Sequence, residues 1–154
     1  MRKVSPTHVA IALMALLLPA QAQERQWSLD ATGEDAFLVL GVPETDDVGL
    51  SFWCKIGGDS VSMFYPVTWT NLKNNSKVKV RIEAGTRVFN LQGTGTASPE
   101  GGVASLEIPL KVNSKIFPAI KASDRLVLRV KGHRGAYPLD GADVDGLLKL
   151  CRKD

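Results

Sequence analysis

Acids, bases and nucleophiles at workable spacing are sparse in this chain, and each group that could do covalent chemistry has a plainer role. Carboxylates pair twice, as Glu34 with Asp35 and as Glu44 with Asp46 or Asp47, and two carboxyl groups flanking a glycosidic bond are what sugar hydrolysis requires. Both pairs lie in turn-forming stretches with no aromatic close by for a sugar to stack on, so turn formation accounts for them more simply. His133 lies in Gly132-His-Arg-Gly135 beside no nucleophile, yet any Ser-His-Asp or Cys-His arrangement would have to use it. One imidazole does not make a histidine-rich metal site. Asp143-Val-Asp145-Gly146 matches half of a calcium loop but lacks the third acid and the closing glutamate, and helix capping explains its acids. The expectation is a chain with no catalytic residue, no metal and no cofactor.

The groups that remain suit recognition. Gln92 to Gly102 holds four glycines with Thr94, Thr96 and Ser98, and reads as a loop too long for a tight hairpin and without an apolar anchor. Its hydroxyls can hydrogen-bond to carboxylates in a partner's cleft. Trp53 alternates with Phe52 and Cys54, which places it either in a second layer of a sandwich or on the surface as a binding aromatic. Trp69, beside the asparagines at 71, 74 and 75, is open in the same way. Glu44, Asp46 and Asp47, with Glu34 and Asp35, make an acidic recognition patch. Lys77, Lys79 and Arg81 form an outward row that either blunts a sheet edge or meets an anionic partner.

The N-terminus bounds the compartment. Arg2 and Lys3 precede an apolar run from Val9 to Leu18, and Pro19-Ala-Gln-Ala22 ends in a small-residue cleavage pattern, so residues 1–22 read as a secretory signal and 23–154 as one secreted β-rich domain. No other stretch approaches the roughly 20 apolar residues of a membrane span. Without Arg2 and Lys3, 17 cationic residues face 16 acidic ones, and the formal charge of +3 falls to +1. A nucleic-acid partner would want a larger basic excess. Two cysteines, Cys54 and Cys151, in an exported chain most simply form one structural disulfide.

The elements that must position these groups are short and mostly β. Val48, Leu50, Phe52, Cys54 and Ile56 alternate along a strand with one face on a core. Gln26–Leu29, Ser60–Val67, Lys77–Ile82, Thr86–Leu91, Val103–Leu110, Leu126–Val130 and Ala136–Leu139 read as further strands, and the apolar run Ala36–Leu40 as one buried on both sides. Asn113–Ala122 predicts a short helix that admits Pro118 only in its first turn or as a break. A last helix, with Asp140 as N-cap, carries Val144, Leu147, Leu148 and Cys151 on one face. Cys151 would thus meet Cys54 in the core. The expected fold is mainly β, a small antiparallel sandwich or partly open barrel with one short helix and a C-terminal capping helix.

Val42-Pro-Glu-Thr-Asp-Asp-Val-Gly-Leu-Ser-Phe-Trp-Cys54, Ile116-Phe-Pro-Ala-Ile120 with Ser123-Asp-Arg-Leu126, and Tyr137-Pro-Leu-Asp-Gly141 with Leu147-Leu-Lys-Leu-Cys151 resemble an uncharacterised family of exported single-domain proteins of rhizobia and their relatives. The cysteine layout is remotely similar to periplasmic accessory proteins of type VI secretion systems. Gln92-Gly-Thr-Gly-Thr-Ala97 is similar to the small-residue loop that periplasmic lysozyme inhibitors insert into a lysozyme cleft. The resemblances imply a periplasmic binding protein, not an enzyme, that inhibits or regulates a lysozyme-type peptidoglycan hydrolase. A structural or secretion-system accessory that binds another envelope protein is the main rival reading, and an unrecognised hydrolase the third.

Overall fold

The computed structural model describes residues 24–67, 72–96 and 104–153. The leader expected over 1–22, Trp69 and Ser98 lie outside the described residues. Chain order is β1 (Gln26–Thr32), β2 (Asp35–Gly41), β3 (Val48–Lys55), β4 (Ser60–Val67), β5 (Lys77–Ala84), β6 (Arg87–Thr96), β7 (Ala104–Lys111), α1 (Ile116–Lys121), β8 (Arg125–Val130), β9 (His133–Pro138) and α2 (Val144–Cys151). Among the described residues the nine strands form a single antiparallel sheet, ordered β1-β2-β3-β4-β7-β6-β5-β8-β9. The sheet curls into a half-barrel, so of the two expected architectures the partly open barrel obtains.

The curl follows from one-sided burial. Leu38 and Leu40 on β2, Leu50 and Phe52 on β3, Met63 on β4, Val80 and Ile82 on β5, Leu106 and Ile108 on β7 and Leu126 and Leu128 on β8 all point inward and are buried. Phe52 is the hub of an aromatic line, stacked against Trp27 at 6.2 Å and tilted against Phe117 of α1 at 6.4 Å. The sheet's first and last strands approach each other as it curls. Trp27 Nε1 donates to the Pro138 carbonyl at 2.8 Å, joining β1 to β9 by a side chain where no backbone ladder runs.

The last helix closes one end. Its buried face is Val144, Leu147, Leu148 and Cys151, and Cys151 bonds to Cys54 across 97 residues with Cα atoms 5.7 Å apart. Carbonyls in a helix's last turn lack intrahelical donors, and here the β3–β4 hairpin supplies them: Gly57 N–H donates to the Leu150 carbonyl and Asp59 N–H to that of Cys151, both at 2.9 Å. Asp143, not Asp140, caps the start, its carboxylate accepting from the Gly146 amide at 2.8 Å. Asp140 is occupied earlier in the chain, in a turn closed by Ala142 N–H on the Leu139 carbonyl, with Gly141 at φ +78°. Pro118 falls within the first turn of α1, as its missing N–H requires.

Three further expectations change, and one open alternative, that for Trp53, is decided. Gln92–Thr96 is the end of β6 and not part of a loop. Gly93 and Gly95 face the core there because a Cβ at either would sit 2.8 Å from Leu106 Cγ or 2.7 Å from Leu72 Cγ. Ala36–Leu40 is covered on one face only, leaving Phe37 and Val39 half-buried outside. Ile56 lies past the end of β3 and is 43% exposed. Trp53 stands outside the single sheet, opposite Phe37 and Ser62, since no second layer covers it.

Two stability predictions follow from this packing. Cys151→Ser should cost about 2–5 kcal/mol, read as a lowered urea midpoint against the oxidised protein. Gly95→Ala should cost about 1–3 kcal/mol through overpacking against Leu72. An unchanged midpoint in either variant would contradict the arrangement described.

Candidate functional site at the open end

Opposite the helical plug, the β2–β3 turn carries the predicted acidic group. The backbone there is held from several directions: Val42 N–H donates to the Asp47 carbonyl at 3.0 Å, Thr45 N–H and Thr45 Oγ1 both donate to the Val42 carbonyl, and Asp47 N–H donates to Thr45 Oγ1. Glu44 sits at φ +62°, a left-handed conformation that costs a residue with a Cβ about 1–2 kcal/mol. Arg25 clamps the far side, its Nε and Nη2 donating to Asp47 Oδ1 at 3.1 and 2.6 Å. Gly49 leaves room for that guanidinium, because a Cβ would lie 2.8 Å from Arg25 Nη1. Gly41 likewise lets the Asp47 carbonyl approach.

The turn borders a cavity of about 570 Å³ lined by Arg25, Asp46, Asp47, Tyr65, Ser105, Arg134 and Tyr137, among others. Tyr65 arrives from the end of β4 and Tyr137 from β9, their rings meeting edge to face at 6.1 Å and 80°. Tyr137 lies over Gly135, where a Cβ would be 2.8 Å from the phenol oxygen. Burial pushes the Tyr137 hydroxyl well above the ordinary tyrosine range, its hydrogen-bonded neighbour Tyr65 adds to the rise, and Arg25 opposes it weakly. The cavity thus combines a phenol pair with a fixed ion pair. That set can bind and orient a partner's side chain.

The remaining predicted residues are spread out. Thr94 and Thr96 stand on the outer face of β6; Thr94 faces Glu107 and accepts from Lys77 Nζ at 2.8 Å, while Thr96 faces Ser105 beside the cavity. Trp53 lies lower on the same outer face, opposite Phe37, apart from the acidic turn. Glu34, expected to work with Asp35, pairs with Lys55 at 3.4 Å at the plugged end of β2, and Asp35 Oδ1 is buried there without a partner. His133 begins β9, because Lys131 (φ +46°) and Gly132 (φ +82°) form the two-residue turn before it. No group of three or more His, Cys, Asp or Glu side chains among the described residues could hold a metal. No helix among them is long and apolar enough to cross a membrane.

No protein-family model matches the sequence, and no curated protein matches it. The fold, however, has a solved counterpart. It is similar to that of invasion associated protein B from Bartonella henselae, with a TM-score of 0.51 over 82% of this chain and 94% of that one. Identity is 14%, so the likeness speaks to the half-barrel and its closing elements and to nothing in the cavity.

Sequence reasoning missed Arg25, Tyr65, Arg134 and Tyr137. Alternation along β4 puts Tyr65 inward with Met63 at the strand's end, where a phenol oxygen can reach the rim; that signal was readable. Tyr137 and Arg25 owe their place to the curl, which sequence alone does not show.

The raised Tyr137 hydroxyl makes stability depend on alkaline pH. An unfolded chain releases this proton near about pH 10. The stability carried by the neutral form is therefore whole below that value and is lost as pH rises toward the folded one. Melting temperature should fall as pH rises above about 10, and Tyr137→Phe should flatten the fall. Identical pH profiles for the two proteins would refute the burial of this phenol.

Proposed function

We propose that the chain is a signal-directed periplasmic binding protein that regulates a lysozyme-type peptidoglycan hydrolase by contact at this rim, without catalysis of its own. The observation that carries the reading is the state of Glu44 and Asp46. Neither has a hydrogen bond or ion pair among the described residues, while the turn that presents them is held at Val42, Thr45 and Asp47. Carboxylates on a turn held in this way cost little backbone entropy on docking and complement a cationic hydrolase surface. Oppositely charged patches also speed encounter. The disulfide and the leader-like N-terminus support an oxidising compartment.

Thr94 and Thr96 keep a place in this reading on changed terms. They stand on a strand, not on a flexible loop, so any contact they make is prepaid in backbone order. Lys77 donates to the Thr94 oxygen, which leaves the hydroxyl proton free to reach a carboxylate on the partner. Thr96, next to the cavity-lining Ser105, is the nearer of the two to the acidic turn. Trp53 would take part only in an interface that extends down the outer face.

The test is turbidimetric lysis of cells by a lysozyme-type hydrolase, with the exported protein titrated in. Inhibition is expected, and Glu44→Lys with Asp46→Lys should weaken it about tenfold or more, equivalent to roughly 1.4 kcal/mol. Melting should stay nearly unchanged, as for surface substitutions that break no contact. Full inhibition by the double variant would remove the rim from the interface. Release of dye from labelled sacculi by the chain alone, abolished by His133→Ala, would overturn the binding reading altogether.

A further inference from the structure

The outer surface of the sheet is divided by charge, and the division is sharper than the formal net charge of +3 would suggest. Across β9, β8 and β5, Arg134 stands opposite Arg129, and Arg129 opposite Arg81. Strands lie about 4.8 Å apart, so three guanidinium-bearing positions fall within about 10 Å. Lys79 and Lys77 continue the field along β5 on the same face. Like charges directly opposite on a sheet destabilise it. The local answer is a single carboxylate: Glu83 Oε1 accepts from Arg81 Nε at 3.0 Å and from Arg129 Nε at 2.9 Å. Both arginines hold its pKa below the usual carboxylate range.

Edge protection does not explain the arginines at the centre of this field. Lysines blunt exposed sheet edges, and Lys77 and Lys79 lie on β5 beyond its register with β8, but Arg81 and Arg129 sit where β5 is paired to β6 and β8, and β8 to β5 and β9. These two guanidinium groups therefore stand inside the sheet, where there is no ladder to guard. Lys79 has no ion pair or hydrogen bond among the described residues, and the Arg81 and Arg129 side chains remain about half exposed beside Glu83.

We propose that this face binds an anionic polysaccharide, a flexible chain whose repeated carboxylate, phosphate or sulfate groups lie across Arg129, Arg81 and Lys79. Three features favour a glycan over other polyanions. The face is the convex side of a curled sheet, which a flexible chain can follow and a planar bilayer meets at few points. Membrane attachment wants a set of apolar side chains inserted beside the basic residues; here Val127 between the arginines is buried, and Val88, opposite Glu83, is a single exposed apolar side chain. Single-stranded nucleic acid wants aromatic platforms for its bases, and the half-exposed aromatics Phe37, Trp53 and Phe64 stand on the opposite half of the sheet. Binding here is independent of the acidic rim.

Calorimetric titration of the exported protein with polygalacturonate and with heparin, at low and at physiological salt, decides the matter. Both should bind, more weakly as salt rises, and uncharged dextran should not. The Lys79→Gln, Arg81→Gln, Arg129→Gln triple variant should bind at least about tenfold more weakly at low salt, with its melting curve intact. Glu83→Gln removes the internal competitor and should bind several-fold more tightly than the native chain; because it adds rather than removes affinity, it guards against misreading a folding defect. The Glu44→Lys, Asp46→Lys variant should retain glycan binding. No binding to either glycan, an unaltered triple variant, or a Glu83→Gln variant no tighter than native would overturn the proposal. So would tighter binding to phosphatidylglycerol vesicles or to a DNA duplex than to both glycans, which would assign the face to that other class.

Discussion

A sheet that buries one face against a core must curl around that core, and the ends of the resulting half-barrel then need covering. In this chain α2 covers one end, and its attachment sets the geometry of everything else. The Cys54–Cys151 bond ties the helix to the third strand, two hairpin amides finish its last carbonyls, and Lys153 N–H donates to Asp59 Oδ1 just beyond. Lys121 Nζ reaches Asp145 Oδ1 at 2.7 Å to bind α1 to α2. A loop of about 100 residues closed by one bond removes on the order of 4–5 kcal/mol of unfolded-state entropy, and the same bond decides which end stays open. Trp27 completes the curl from the other side by holding β1 to the Pro138 carbonyl.

Much of this was legible because its signals are local. Period-2 alternation along β3, β5 and β7 placed the inward residues, and the i, i+3, i+4, i+7 spacing of α2 put Cys151 in the core facing Cys54. What failed did so where composition and environment disagree. Gly93-Thr-Gly-Thr96 has the composition of a loop, but its glycines are vacancies in a strand that Leu106 and Leu72 fill. No local rule shows that two leucines distant in sequence need that space. Phe37 and Val39 looked like the second face of a buried strand, whereas a curled single sheet leaves them half-covered. The acidic turn was read correctly as a turn; its clamp by Arg25 and its neighbours Tyr65 and Tyr137 required the strands to be brought round.

The same architecture explains why recognition groups fall in separate places. Inward positions are taken by the core, so polar side chains have only the rim, the outer face and the plug. The outer face then divides along the sheet order: aromatic and hydroxyl side chains on β2, β3 and β4, cationic ones on β5, β8 and β9. Ser62 Oγ donates to Glu107 Oε1 at 2.7 Å, and Lys77 to Thr94, near the line where the two halves meet. These bonds hold the boundary residues to one another, leaving the groups on either side of it available.

Rigidity is distributed in a way that bears on binding. At the plugged end, hydrogen bonds and a covalent bond hold the hairpin and the helix terminus to each other. At the open end the bonds run within the turn and leave the side chains of Glu44 and Asp46 outside it. A strained residue such as Glu44 persists only when its surroundings over-determine it, and here the Val42–Asp47 bonds and the Arg25 clamp do so. The turn's backbone, from which the two carboxylates project, is therefore set before any partner arrives. That is the property a contact surface needs, and it sits at the one end of the barrel that the disulfide leaves uncovered.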